Sequence, residues 1–141
     1  DGSNPCWQGT EAEFVDFYCV TSKYLKSRFP HLKIGGPSVA WIGTGLMGAL
    51  VPEIKARGAA LDFFSYHTYN PVAVSVEHVR YYDRLLEKYG YSHLERHLNE
   101  WNQCWACPGV SPQDKENPVF PPVTLAMMLA MQKEKVVYIT L

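Results

Sequence analysis

The run His97-Leu98-Asn99-Glu100-Trp101-Asn102 places a carboxylate between amides and beside an indole, at the end of a stretch that reads as a strand. Parallel α/β folds gather their chemistry at such strand ends. Cleavage of a glycosidic bond uses a pair of carboxylates, and Glu100 has the surroundings of one member. No other carboxylate in the sequence is as well placed. Two more polar clusters follow apolar runs in the same way. His67-Thr68-Tyr69 continues Leu61-Asp62-Phe63-Phe64-Ser65-Tyr66, and Gly35-Gly36-Pro37 follows Leu32-Lys33-Ile34, where glycines let the backbone bend or approach a ligand closely.

Thiols offer a second chemistry. Cys104-Trp105-Ala106-Cys107 has thioredoxin-like spacing, but that mechanism needs a helix N-terminus to lower a thiol pKa. The residues after it, Pro108-Gly109-Val110-Ser111-Pro112, are rich in helix breakers. A zinc site would need a second pair, and Cys19 falls on a helical stretch. The reading is therefore free thiols at Cys6, Cys19, Cys104 and Cys107, or a loop disulfide among them, with a slight tilt toward a reducing compartment. No metal or cofactor is expected.

These residues need elements to position them. Thr10 and Glu13 form a capping box, and Phe14, Phe17, Tyr18, Thr21 and Leu25 keep helical spacing until Pro30, which predicts a helix over 11–29. Leu32-Lys33-Ile34 reads as a short strand ending at the glycines. A second helix, 44–57, should break at Pro52 and close at Gly58. After the strand at Leu61, Ser75 is expected to cap a third helix that Gly90 stops. Leu94 to Leu98 forms the strand leading to Glu100. Pro121-Pro122 opens a last helix with Met127, Met128 and Met131 as core, and residues 136–141 form a final buried strand.

Composition bounds the partners. The chain has 141 residues, enough for one domain with a real core, and its formal net charge of −1 gives no reason to expect nucleic acid or an anionic membrane. No apolar run reaches the roughly 20 residues that span a bilayer. The first residues, Asp1-Gly2-Ser3-Asn4-Pro5, lack a methionine, and the expectation is a processed or excised segment.

Four helix-then-strand units with short connections predict a parallel sheet, either open and doubly wound or part of a (β/α)8 barrel. An open nucleotide-binding sheet would carry a glycine fingerprint that Gly35-Gly36-Pro37 is not. Three polar clusters at three strand exits favour the barrel.

The blocks Trp7-Gln8-Gly9-Thr10, Leu32 to Ser38, Leu61 to Tyr69 and Asn99-Glu100-Trp101-Asn102 occur in an order that resembles glycoside hydrolase family 39, the β-xylosidase and α-L-iduronidase family. The resemblance covers almost the whole chain. It implies a retaining mechanism on a (β/α)8 barrel, with this chain supplying strands five to eight. Glu100 matches the nucleophile. His67 and Tyr69 match positions that line the site, and Trp101, Asn102, Trp7 and Gly36 are taken as further sugar-binding residues. The substrate implied is a β-xyloside or a related pyranoside.

One element of the family pattern is missing. In the resembling enzymes the acid/base glutamate follows an asparagine upstream of the segment matching Trp7 to Thr10, and here it is expected to lie before Asp1. Glu11 and Glu13 are accounted for by the first turn of a helix. The chain thus reads as the second half of a barrel, inactive alone and prone to self-association through unpaired sheet edges. Three functions remain open at this point: a retaining glycosidase, a carbohydrate-binding barrel module without hydrolysis, and a thiol oxidoreductase using Cys104 and Cys107.

Overall fold

The computed structural model describes residues 7–40, 42, 45–102 and 120–140. Cys6, Cys104, Cys107 and the Gln103–Pro118 loop lie outside the described residues. Helices and strands alternate, and the chain divides into two units: a helical one up to Gly35 with Gly43–Asp62, and a sheet unit of Gly36–Ile42 with the chain from Phe63 onward.

In the helical unit, α1 (Glu11–Arg28) starts with the expected capping box. The Thr10 N–H donates to Glu13 Oε2 at 2.7 Å and the Glu13 N–H donates to Thr10 Oγ1 at 3.2 Å. The Thr10 N–H and the Thr10 hydroxyl, which also donates to Glu13 Oε2 at 2.9 Å, favour the charged carboxylate and hold Glu13 below its ordinary value. Val15, Cys19 and Ser22 form the buried stripe of α1, and burial pushes the Cys19 thiol up. Helix α2 (Gly45–Arg57) buries Leu50, Val51 and Ile54. It runs through Pro52 without the expected break, and the carbonyl left without its donor is that of Gly48. Arg57 ties the two helices by pairing with Glu53 at 2.7 Å and with Asp16.

The segment Leu32-Lys33-Ile34 is not the first strand. The Asp62 N–H donates to the Ile34 carbonyl at 2.7 Å, and the Asp62 carboxylate accepts from the Ile34 N–H at 2.8 Å and from Lys26 Nζ at 2.8 Å. Ile34 therefore spends its backbone groups on Asp62 and has none left for a ladder. Burial would raise the Asp62 pKa, but the Ile34 amide and the Lys26 ammonium outweigh it and hold the carboxyl below its ordinary value.

The sheet unit contains β1 (Gly36–Val39), β2 (Phe63–Thr68), α3 (Val72–Lys88), β3 (Glu95–Trp101), α4 (Phe120–Lys133) and β4 (Tyr138–Ile139). Its strands lie in the order β1-β2-β3-β4, all parallel. One face of β2 carries Phe64 and Tyr66, whose rings meet Tyr82 of α3 at 5.2 and 5.1 Å. These rings, with Val79, Leu86, Leu98, Met127 and Met131, are buried and form the core of this unit. Each such side chain contributes roughly 1.5–3 kcal/mol relative to an exposed one. Burial also raises the phenol pKa of Tyr66 and of Tyr82 well above normal.

Two expectations about the end of the chain are corrected. Met127 and Met131, four residues apart, share the buried face of α4, whereas Met128 is turned away and 51% exposed. The last strand is only Tyr138–Ile139, and Tyr138 is 56% exposed rather than buried. Ser75 also differs from its expected role. Helix α3 begins at Val72, so Ser75 sits inside its first turn, where the hydroxyl donates to the Asn70 carbonyl at 3.2 Å and lies 3.3 Å from Thr68 Oγ1. Asn70 Nδ2 also donates to Thr68 Oγ1, at 3.0 Å. This network braces the turn that leaves β2.

Candidate active site at the strand exits

The face of the sheet away from α3 carries the candidate residues Glu100 and His67. Phe63 of β2 stacks on His97 of β3 with ring centroids 4.4 Å apart, and Tyr138 of β4 meets His97 edge-on at 4.5 Å. Ser65 and His67 follow Phe63 at alternate positions and therefore share its face. His97 accordingly serves as packing beneath the exits, with Nε2 lying 3.2 Å from Glu95 Oε2.

Above this level both neighbours of β2 are irregular. On β3, Leu98 pairs with Tyr66 and Glu100 with His67, so Asn99 is an extra residue with no partner. On β1, Pro37 pairs with Ser65 and Val39 with Tyr66, leaving Ser38 unmatched in the same way. A bulge of this kind bends a strand and re-aims its side chains. In an unbroken ladder Asn99 would pair with His67, and Glu100 would fall opposite Thr68 on the buried face. The bulge instead puts Glu100 level with His67 on the open face and Trp101 level with Thr68 on the core face. Burial explains the choice, because Trp101 is 1% exposed whereas Glu100 is exposed. A buried indole is favourable and a buried unpaired carboxylate is not.

The two extra residues meet each other. Asn99 Nδ2 donates to Ser38 Oγ at 2.7 Å, passing over β2, and the Ser38 N–H donates to Ser65 Oγ at 3.0 Å. Ser38 holds this place with φ at 63°, a left-handed conformation uncommon for a residue with a Cβ. Neither Ser38 nor Ser65 stands out in the sequence. Their only signal is a hydroxyl just after Gly-Gly-Pro and another in the middle of an apolar strand.

The expected site residues divide as follows. Glu100 and His67 are register partners, and Tyr69 stands edge-on to the His67 ring at 6.2 Å. His67 Nδ1 is buried with no hydrogen-bond partner among the described residues. Asn102, half-buried, follows β3 directly. Trp101 is a core residue and offers no face to a ligand. Gly36 is buried and pairs with Phe64, so it begins β1 rather than ending it. It lies about 10 Å below the His67 level, three residues of strand rise. Trp7 belongs to the helical unit, where its indole stacks on Phe17 at 5.6 Å, meets Phe14 at 5.5 Å and donates Nε1–H to the Thr10 carbonyl.

The opposite end of the sheet unit has a concavity of about 370 Å³ lined by Asp83, Glu87, Arg96, Lys133 and Glu134, among others. Arg96 pairs with Asp83 at 3.2 Å, and Arg80 with Glu134 at 2.9 Å. Burial raises the Asp83 carboxyl above its normal value, and Arg96 opposes that shift. These groups hold α3 to the start of β3 and the end of α4, away from Glu100. Among the described residues, no group of three His, Cys, Asp or Glu side chains is placed to hold a metal ion.

No family model matches the chain. A curated relative, the β-xylosidase of Geobacillus stearothermophilus, is 25% identical, aligned over 67% of this chain and 22% of the relative. Among solved structures, a glucosidase from Croceicoccus marinus superposes on 94% of this chain with a TM-score of 0.77 at 24% identity, covering 28% of that protein. A family 39 β-xylosidase from Caulobacter crescentus superposes on 93% of this chain with a TM-score of 0.70, again at 24% identity and over 28% of its own length. The chain thus spans under a third of the length of these relatives. In sequence the chain is similar to that β-xylosidase, and in fold it is a partial (β/α)8 barrel of four helix–strand units, like the matching parts of these solved glycosidases.

Proposed function

We propose that the chain is the nucleophile-bearing part of a retaining glycoside hydrolase acting on β-xylosides or related pyranosides. The observation that carries this reading is the bulge that sets Glu100 opposite His67 on the open face of the sheet, at the strand exits. Barrel enzymes place their catalytic groups there. The relatives named β-xylosidase and glucosidase favour a sugar substrate.

In the proposed reaction one Glu100 oxygen attacks the anomeric carbon as the bond to the leaving group breaks, and an acid elsewhere in the whole protein gives the leaving oxygen its proton. The same group, now a base, takes a proton from water. That water attacks the anomeric carbon, and Glu100 departs as carboxylate. A retaining pair sits about 5 Å apart. Within the sheet unit Glu95 shares the strand, but it is roughly 16 Å from Glu100 at about 3.3 Å per residue. Glu77, Asp83 and Glu87 lie on α3, and Glu134 follows α4. Among the described residues of this unit none of these carboxylates stands beside Glu100, which supports an acid/base residue elsewhere in the whole protein. The orphaned His67 Nδ1 supports a polar partner at the site, because a buried polar atom without one is costly.

The test is made on the whole glycosidase. Glu100→Gln should cut aryl xyloside turnover by about 10³-fold or more, the scale expected for losing a nucleophile. A 2-fluoro xyloside should form a covalent adduct at Glu100. Turnover that survives Glu100→Gln would reject the assignment.

A further inference from the structure

We propose that Ser38 and Asn99 are positioning residues for Glu100, acting as a strut across β2 that fixes the bulge from which the carboxylate projects. The proposal rests on the nucleophile assignment above and extends it to two residues that need not touch substrate. Three observations carry it.

Asn99 is the residue immediately before Glu100 and has no ladder partner on β2. The strand departs from the regular ladder at this residue, so the aim of the Glu100 carboxylate depends on how Asn99 is fixed. Its side chain supplies a cross-sheet anchor by donating to Ser38 Oγ at 2.7 Å. The acceptor is the other unmatched residue, on the far side of β2, so each bulge anchors the other. Ser38 is in turn held by its own N–H on Ser65 Oγ, a side chain only 4% exposed and set in the strand between them. The chain Asn99–Ser38–Ser65 thus ends in a fixed point of the sheet. A serine at φ 63° is a conformation that glycine adopts more easily, and the hydroxyl is what glycine would lack.

A misplacement of about 1 Å at a reacting group costs on the order of 10²-fold in rate. Loss of the strut should therefore appear in the steps that Glu100 performs. The experiment uses the whole glycosidase with Ser38→Gly, which removes the hydroxyl while suiting the left-handed backbone, and with Asn99→Ala. The readouts are kcat and KM on an aryl xyloside, the rate of covalent labelling at Glu100 by a 2-fluoro xyloside, and Tm. The expected result for each variant is a loss of about 10- to 100-fold in kcat and in labelling rate. KM should stay within about twofold because contacts shared by ground and transition states are untouched. Ser38→Gly should keep its Tm, and the double variant should be no worse than the poorer single one, because both cut the same strut.

Labelling and kcat within about twofold of the parent in Ser38→Gly would overturn the proposal, as would a kcat loss only in proportion to a fall in Tm. Adduct formation at a residue other than Glu100 would instead overturn the nucleophile assignment. If Asn99→Ala fails to fold, Ser38→Gly alone decides between these outcomes.

Discussion

Glu100 and Trp101 are neighbours in sequence that leave β3 on opposite faces, the acid level with His67 and the indole level with Thr68. Their sides are coupled, because one extra residue in the strand moves both together. The strand satisfies both only with Asn99 bulged out.

Trp101 is accordingly expected to act on stability rather than on sugar binding. Truncating a fully buried indole costs about 3–5 kcal/mol, so Trp101→Ala should lower Tm sharply or prevent folding. Trp101→Phe should cost less and leave KM for an aryl xyloside within about twofold at temperatures well below the melt. A large rise in KM without loss of Tm would return Trp101 to the binding surface.

A second prediction concerns helix ends. Helices α2, α3 and α4 all close with the same pair of bonds. Ala59 N–H reaches Ile54 O, Tyr91 N–H reaches Leu86 O and Val136 N–H reaches Met131 O, while Gly58, Gly90 and Lys135 bond one turn back. The pivot needs positive φ, which Gly58 and Gly90 supply at 59° and 80°, but the third pivot is Lys135 at 60°. Lys135→Gly should raise stability by about 0.5–1 kcal/mol, the strain relieved less the extra freedom given to the unfolded chain. A fall in Tm would mean that the Lys135 side chain contributes more than its backbone costs.

What is legible in the sequence follows from which features residue types can encode. The Thr10–Glu13 box, Gly58 and Gly90 are local signals and lead to the right helix ends. Strand β1 is misplaced by a sequence reading because Gly-Pro-Ser-Val looks unlike a strand while Leu-Lys-Ile looks like one. The difference is decided by Asp62, 28 residues away from Ile34, which takes its backbone. Glu100 and His67 are legible as strand-exit polar groups. The bulges at Ser38 and Asn99 are not, since a bulge is a mismatch between two strands and neither strand alone records it. Trp101 falls on the core face for that reason, whereas Gly36 stands at the start of β1 because the strand begins after Ile34 rather than at Leu32.

The Asp62 junction gives a pH-dependent expectation. Its pKa is lowered in the folded state, so its contribution is present above the ordinary carboxylate value of about 3.9 and is lost as pH falls through the lower folded value. Asp62→Asn keeps an acceptor for the Ile34 amide but loses the charge facing Lys26, and with the side chain 31% exposed the cost at pH 7 is about 1 kcal/mol. Melting curves of parent and variant should differ at pH 7 and draw together progressively as pH falls below about 4 toward the folded value. A gap that does not narrow below about pH 4 would show that the pairing charge is not its source.

The edges of the sheet yield the last prediction. Strands β1 and β4 each pair on one side only among the described residues, and β4 comes with Val137 52% and Tyr138 56% exposed. Beside it, α4 exposes Leu125, Met128 and Leu129 at 57%, 51% and 57%. Unpaired N–H and C=O groups next to apolar side chains form a template for another strand. The 141-residue chain expressed alone should elute from a sizing column above its monomer size and show no xylosidase turnover. Tyr138→Lys should shift it toward monomer, since a charge on an edge strand opposes pairing. A compact monomer with a cooperative melt would show that the edges are covered from within the chain.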